Sequence, residues 1–236
     1  MMNDNSNRRQ FLRVIGGIGI TSMSAPNYLI GAKPSAALNR SGVLLEASAF
    51  TKTGGWKIDT QHYLQMGGNY LLAHGMGKPV DDAETTIDLP ATGKWNVWVR
   101  NRDWCKGDWQ SPGRFQVLVE GKPLSVTFGE GRESWHWESG GSIEISKAGK
   151  TKISLSDLTG FDGRCDAIFL TQESNPSLPD DDLKELSDWK DELSGRAEEK
   201  VEELSFDLVI VGGGMSGCGA ALAARSQGLK VALIQD

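Results

Sequence analysis

The glycine-rich stretch at residues 207–236 constrains the fold of this chain more than any other part of its sequence. It reads DLVIVGGGMSGCGAALAARSQGLKVALIQD, with glycines in the spacing G-x-G-x-x-G. The apolar run at 208–211 is typical of a parallel strand that is buried on both faces. The alanine- and leucine-rich segment 215–227 is typical of a helix, and the run 231–234 of a second short strand. The sequence therefore predicts a β-α-β unit with a glycine turn after its first strand.

Each glycine of the turn has a physical role in such a unit. The first allows a tight turn, the second lets the backbone approach a pyrophosphate, and the third lets the helix pack closely on the strand. The helix N-terminus offers free N–H groups and a positive dipole end to phosphate. Because a strand precedes the glycines and a helix follows them, we expect a dinucleotide site rather than an ordinary glycine turn. The predicted cofactor-binding residues are Gly212, Gly213, Gly214, Met215, Ser216, Gly217, Gln235 and Asp236.

The stretch resembles the N-terminal motif of FAD-dependent oxidoreductases, in which VIVGGGxxGxxAA is followed by a strand that ends in an acid. In that family the acid binds the ribose hydroxyls of the adenosine half. Counted from the glycines, this position falls on Gln235, with Asp236 one residue later. Because neighbouring residues on a strand face opposite ways, either Asp236 reaches the ribose from a shifted strand end or Gln235 makes a neutral contact. The choice of FAD over NAD rests on the resemblance, and no arginine is placed to read the 2′-phosphate of NADP.

The N-terminus carries a different kind of signal. In NRRQFLRVIGGIGI, Arg8 and Arg9 precede a short apolar segment that is diluted by three glycines. This resembles a twin-arginine export signal, with Asn7 where serine or threonine is commoner. The alternative is a basic arm followed by a core helix, and the glycines argue against a stable helix. We therefore expect residues 1–37 to be a signal peptide and cleavage region, and the protein to reach the periplasm or the cell exterior.

Residues 41–172 have short alternating or apolar runs separated by glycine, proline and asparagine, which predicts an antiparallel β-sandwich. Through the phrases LEASAF and FDGRCDAIFL this region resembles the galactose-binding-like sandwich modules of secreted carbohydrate-active enzymes. In many such modules an early glutamate and a late aspartate share a structural calcium ion, and oxygen ligands suit calcium. The matching positions are Glu46 and Asp166. Two solvent-exposed carboxylates without a metal are the alternative.

Eight tryptophans are a high count, and several of them fall in or beside loop-like stretches. Aromatic faces in loops can stack on sugar rings, whereas the alternative is that they cover the sandwich or pack on a neighbouring domain. In WNVWVR one face is predicted to be core, and Trp98, on the other face, is predicted to be covered by a loop or to face a ligand. The loop candidates are Trp104, Trp109, Trp135 and Trp137.

Other chemistries find little support in the sequence. The formal net charge of −6 disfavours a nucleic-acid partner or an anionic membrane surface, and no run approaches the ~20 apolar residues of a spanning helix. No histidine has metal-ligand spacing to a cysteine or acid, and G-x-S-x-G is absent, so hydrolase and zinc functions lack support. After export, Cys105 and Cys165 could form a disulfide.

These segments predict a mixed architecture. An antiparallel β-sandwich (41–172) is followed by an amphipathic linker helix within 173–204 that docks on one domain. Residues 205–236 are then the first β-α-β unit of an incomplete, Rossmann-type α/β FAD domain. Such a unit is too small to bury its apolar faces or enclose a cofactor. We therefore expect the chain to be the N-terminal piece of a longer flavoenzyme whose catalytic residues lie downstream.

Two functions from different classes remain open. In the first, the chain belongs to an exported FAD-dependent oxidoreductase whose flavin accepts a hydride from an unidentified small-molecule or carbohydrate substrate. In the second, it is an exported carbohydrate-binding module that is accessory to polysaccharide breakdown, with a non-functional nucleotide-binding remnant. An exported lyase partner is a weaker third possibility. The sequence leaves the substrate, the catalytic residues and the oligomeric state undetermined.

Overall fold

The computed structural model describes residues 40–180, 182–196 and 203–234 of the chain. The export signal predicted at 1–37 lies outside these residues. So do Gln235 and Asp236, the two residues predicted to reach the ribose of the cofactor.

Ten strands between residues 43 and 171 form two antiparallel sheets. In chain order they are β1 (Val43–Glu46), β2 (Lys57–Asp59), β3 (Tyr70–His74), β4 (Ala83–Leu89), β5 (Gly93–Asn101), β6 (Phe115–Val119), β7 (Lys122–Pro123), β8 (His136–Ile145), β9 (Gly149–Asp157) and β10 (Phe161–Thr171). The larger sheet has the order β2-β3-β10-β5-β8, and β1 also pairs with β10. The smaller sheet has the order β4-β9-β6-β7. The predicted antiparallel β-sandwich is confirmed.

The core of the sandwich lies between the two sheets, and both sheets contribute apolar side chains from alternate strand positions. On β5 the side chains of Trp95, Val97 and Val99 are buried, as the alternation of a strand requires. Phe115 and Leu155 from the smaller sheet belong to the same buried cluster. The alternate residues Asn96, Trp98 and Arg100 lie on the outer face of the larger sheet.

A helix covers part of that outer face. After the single turn of α1 (Tyr63–Met66), the next helix is α2 (Leu183–Ser194), within the predicted linker. Asp182 caps α2, because its Oδ1 accepts the backbone N–H of Glu185 at 3.0 Å. The ring of Trp189 is fully buried, and its centroid lies 5.0 Å from that of Phe169 on β10. The helix therefore packs on the sandwich as an integral layer.

Residues 207–234 contain a β-α-β unit. The strands β11 (Leu208–Val211) and β12 (Val231–Ile234) pair in parallel, with α3 (Met215–Ser226) between them in the sequence. The order of elements is the one that the sequence predicts. No helix in the described part of the chain is long and apolar enough to cross a membrane.

The disulfide suggested between Cys105 and Cys165 is not formed, and both cysteines are free thiols. Cys165 lies on β10 and is fully buried in the sandwich core, whereas Cys105 lies in the loop after β5. Burial, and then the neighbouring charge of Asp166, raises the pKa of the Cys165 thiol well above its usual value. This thiol is therefore a small apolar core group and not a redox partner.

Candidate functional site

The first candidate site is the glycine turn between β11 and α3. Gly212 has φ = +103°, a conformation that side-chain-bearing residues rarely adopt. Its N–H donates a hydrogen bond of 2.8 Å to the carbonyl oxygen of Ile234, which ties the turn to the end of β12. The backbone at this position therefore requires glycine, as the motif predicts.

The next glycines of the motif have different surroundings. A Cβ atom on Gly217 would lie 1.8 Å from the carbonyl oxygen of Gly212, so the helix approaches the turn too closely for any side chain. A Cβ on Gly214 would meet nothing within 4 Å, and its φ of −65° is permitted to any residue. The steric demand at Gly217 is therefore intramolecular, whereas the space above Gly214 is open.

The N-terminus of α3 is exposed beside this open space. Gly214 is the N-cap residue and supplies no side-chain hydrogen bond to the first turn. Met215 is 94% exposed, and Ser216 is exposed as well. The first N–H groups of a helix lack intrahelical partners, and the dipole favours an anion there. The carbonyl oxygen of Gly213 accepts a contact of 3.1 Å from the thiol of Cys218, so a side chain of α3 also contacts the glycine turn.

The β-α-β unit leaves much apolar surface uncovered. Leu222 on α3 is 72% exposed, and Val211 and Ile234 at the ends of the two strands are also exposed. No residue of α3 is buried. Parallel strands normally have both faces covered, so this unit presents apolar surface that a larger α/β domain would bury.

The second candidate site is the pair Glu46 and Asp166, predicted to share calcium. The structure brings them together through the ammonium group of Lys190 on α2. Lys190 Nζ lies 2.9 and 3.0 Å from the two carboxylate oxygens of Asp166, and 4.0 Å from Oε2 of Glu46. It also donates a hydrogen bond of 3.2 Å to the carbonyl oxygen of Met66. The neighbouring Arg100 guanidinium contributes a further bond of 3.1 Å to Asp166.

These residues do not fit a calcium ion at this position. Carboxylate and carbonyl oxygens are the ligands that calcium prefers, but Lys190 already places a positive charge among them. Glu46 turns its other oxygen to Arg196, whose Nη1 lies 2.5 Å away. Within residues 40–180, 182–196 and 203–234, no group of three or more His, Cys, Asp or Glu side chains is placed to hold a metal. In this structure the pair is largely buried and is bound to Lys190 of α2, Arg100 of β5 and Arg196.

A third candidate site is a group of aromatic residues in the loop after β5 and at the start of β10. Trp109 is 60% exposed and Phe161 is 49% exposed. The indole N–H of the partly buried Trp104 donates a bond of 2.8 Å to the carbonyl oxygen of Phe161. The ring of Phe161 lies over Gly77, where a Cβ atom would come within 2.9 Å of it. The indole N–H of Trp109 donates a bond of 3.0 Å to the carbonyl oxygen of Cys105, which follows Trp104 in the same loop. We call these connected residues the aromatic loop surface (Trp104, Trp109, Phe161).

The backbone below this surface is unusual. Only three described non-glycine residues have positive φ, and two of them, Met76 and Asp162, flank the aromatic loop surface. The pairing of β10 with β3 shifts by a bulge between Phe161 and Gly163, which is how a strand re-aims a side chain. Asp162 also contacts the ring of His74 through its carboxylate. Strain of this kind persists where the surrounding structure fixes it, and often at binding sites.

Two other tryptophans that the sequence singles out, Trp135 and Trp137, pack against other aromatic rings. Trp135 is buried, with its ring 5.1 Å from that of Tyr70 between centroids. Trp137 packs on Trp189 and donates its indole N–H to the carbonyl oxygen of Pro179 at 3.0 Å. Trp98 is half-buried on the outer face of the larger sheet. The sequence did not single out Phe161, although the glycine two residues after it is a local signal for a bulge.

Comparison with known families and sequences gives one match within the chain. A family model described as an FAD binding domain matches residues 207–236, the segment that contains the glycine turn. The matched segment spans β11, α3 and β12. No curated protein sequence matches the chain at a significant level.

Several solved structures resemble the sandwich. The Podospora anserina GH26-CBM35 β-(1,4)-mannanase is 22% identical with a TM-score of 0.45, and the match covers 60% of this chain and 29% of the mannanase chain. A family 35 carbohydrate-binding module from Clostridium thermocellum is 14% identical with a TM-score of 0.44, over 55% of this chain and 97% of the module. The CBM35 of Paenibacillus barcinonensis is 17% identical with a TM-score of 0.43, over 56% of this chain and 100% of the module. Likenesses this distant carry no argument about a ligand.

Proposed function

We propose that this chain contributes the beginning of the FAD-binding domain of an exported oxidoreductase. The observation that carries the proposal is that the family match at 207–236 coincides with an open glycine turn at an uncapped helix N-terminus. In such an enzyme the flavin accepts a hydride from a carbon–hydrogen bond. Its substrate is here an unidentified small molecule, which we propose to be related to carbohydrate.

The turn supplies a pyrophosphate site of the Rossmann type in this proposal. Gly214 leaves room for the phosphate oxygens, and the backbone N–H groups of Met215 and Ser216 donate hydrogen bonds to them. Gln235 or Asp236 then binds the ribose hydroxyls of the adenosine half. The exposed apolar faces of β11, β12 and α3 pack against further strands and helices of the same domain.

The test is the flavin content of the protein expressed from its complete gene. Gly214→Val places a branched side chain in the open space, so it should leave the β-α-β unit folded and abolish flavin binding. Gly219→Val is the matched control, because a Cβ there also meets nothing within 4 Å but lies further along α3. Normal flavin absorbance in the Gly214→Val protein would refute the site.

A second candidate function is carbohydrate binding by the sandwich, and the aromatic loop surface favours it. Exposed rings held over a fixed backbone are suited to stacking on the apolar face of a sugar ring. The contact between His74 and Asp162 places polar groups beside Phe161, where they can bind sugar hydroxyls. In this interpretation the chain is an exported module, accessory to polysaccharide breakdown, and its glycine turn is a non-functional remnant.

Affinity electrophoresis of the chain through gels that contain soluble polysaccharides tests this second function. Trp109→Ala and Phe161→Ala should each weaken retention roughly three- to tenfold, the scale of one aromatic contact. Tyr63→Ala is the control, because Tyr63 is an exposed aromatic residue on α1, outside the aromatic loop surface. Retention that survives both loop variants, or no retention on any polysaccharide, would remove the support for this function.

A further inference from the structure

A cleft beside the paired ends of β5 and β8 contains two arginine side chains. Its volume is about 670 Å³, and it is lined by Gln65, Arg102, Arg132, Glu133, Ser134 and Trp135. Arg102 directly follows β5, and the loop 132–135 directly precedes β8, whose His136 pairs with Asn101. Two arginines are therefore brought to one cleft by the pairing of two neighbouring strands.

Not every N–H group of the Arg102 guanidinium has a hydrogen-bond partner in this cleft. Its Nη1 lies 3.2 Å from Nε2 of His62, and its buried Nε has no hydrogen-bond partner. None of the ion pairs among the described residues includes Arg102 or Arg132. Glu133 lines the same cleft with an exposed side chain, but it forms no ion pair with either arginine. The charges of Glu133 and Asp103 act on Arg102 in the opposite sense to that of Arg164. Neither carboxylate forms an ion pair with Arg102, so its guanidinium keeps N–H donors for a ligand.

The neighbouring groups add positive charge. Burial, and then the charge of Arg164, lowers the pKa of Arg102, which places the two guanidinium groups within electrostatic reach. Arg164 is itself buried, with its Nε unpartnered and its guanidinium over the ring of Trp104 at 5.4 Å. Two of the nearby acids accept hydrogen bonds from other groups. Asp103 accepts bonds from Ser111 and backbone N–H groups, and Asp59 accepts one from the backbone of Gln61.

We propose that this cleft binds an oxyanion, the carboxylate or sulfate group of an acidic ligand. Arg102 and Arg132 donate hydrogen bonds to it from their guanidinium groups, whose planar fork matches two oxygens at once. Ser134, whose hydroxyl accepts a bond of 2.9 Å from Nε of Arg132, holds that side chain in the cleft. The site is separate from the glycine turn and is independent of the flavin proposal.

Isothermal titration of the 236-residue chain tests this inference, with ionic strength held constant by sodium chloride. The probes are inorganic sulfate, D-glucuronate and D-glucose 6-sulfate, with D-glucose as the neutral match. We expect the anionic probes to bind and D-glucose to bind at least tenfold more weakly, the scale of a charge-assisted pair of hydrogen bonds. The ratio of the glucuronate and glucose 6-sulfate affinities then identifies carboxylate or sulfate as the better group.

Substitutions of the two arginines test whether the anionic probes bind in this cleft. Arg102→Gln and Arg132→Gln should each weaken the anionic probes roughly tenfold, whereas Arg225→Gln, the same change on α3, should leave them unaltered. Arg132 is exposed, so its substitution keeps the test valid even if Arg102→Gln disturbs folding. The inference is overturned if no anionic probe binds, or if Arg132→Gln binds them as tightly as the unaltered chain.

Discussion

The ammonium group of Lys190 lies 2.9 Å from one carboxylate oxygen of Asp166 and 3.0 Å from the other, with both side chains almost completely buried. Lys190 is on α2 and Asp166 is on the central strand β10 of the larger sheet. The bond therefore fixes the helix to the sandwich at one point. A buried charge that loses its partner is strongly destabilising, so this contact makes the helix and the sheet depend on each other.

Lys190→Met should lower the free energy of unfolding of the sandwich by about 3 kcal/mol, because it leaves Asp166 buried with Arg100 as its remaining partner. Urea unfolding followed by tryptophan fluorescence measures the change. Lys184→Met is the control on the same helix, since Lys184 is exposed and pairs with Asp188 at the surface. A loss no larger than that of the control would contradict the role of the buried bond.

Calcium should not alter the stability of the chain. Because Lys190 lies among the oxygens of Glu46, Asp166 and Met66, a calcium ion would have to displace a paired ammonium group. We expect equal thermal midpoints in millimolar calcium and in excess EDTA. A midpoint that rises with calcium, and that Asp166→Asn abolishes, would instead restore the shared calcium site that the sequence suggested.

Gly217→Ala should loosen the β-α-β unit itself. A methyl group there would lie 1.8 Å from the carbonyl oxygen of Gly212, so the helix must move away from the turn. Amide hydrogen exchange along α3 should become faster, and flavin content of the complete gene product should fall with it. Gly219→Ala adds the same methyl group in open space and should slow exchange slightly, because alanine favours a helix. Equal exchange rates in both variants would show that a methyl group beside the carbonyl oxygen of Gly212 does not destabilise the unit.

The stability of the sandwich should fall as the pH drops below the ordinary pKa of histidine. Burial, and then the charge of Arg102, lowers the pKa of His62 in the folded chain. Between this lowered value and 6.5 the unfolded chain binds more protons, so stability rises with pH across that window and is lost towards acid. His62→Gln should remove part of this slope in unfolding free energy, measured from pH about 7 to about 5. An unchanged slope would show that His62 contributes nothing to it.

Local sequence patterns predicted the elements whose determinants are close together in the chain. The β-α-β unit follows from the apolar runs and from the glycines between them, all within thirty residues. The core face of β5 follows from alternation, since Trp95, Val97 and Val99 occupy every second position. In both cases the residues that determine the element lie within one short segment of the chain.

Contacts between distant elements could not be predicted in this way. Glu46 and Asp166 do lie near each other, but the cation between them comes from a helix whose docking no local pattern specifies. Trp135 was a loop candidate for sugar binding, yet it is buried because Tyr70 from another strand packs against it. Phe161 is exposed beside a bulge and the left-handed Asp162, and the apolar pattern of the sequence reveals neither of them.

The uncapped start of α3 has a consequence for how cofactor and chain assemble. The N-cap residue Gly214 supplies no side-chain acceptor, which costs the helix roughly a few tenths of a kcal/mol relative to serine, threonine or aspartate there. A phosphate bound at Gly214 would act as the missing cap. By thermodynamic linkage it would stabilise the folded unit by an amount that grows with the logarithm of its concentration over its Kd. Cofactor binding and local folding would then be coupled equilibria, and the first turn of α3 would be more stable with the cofactor bound than without it.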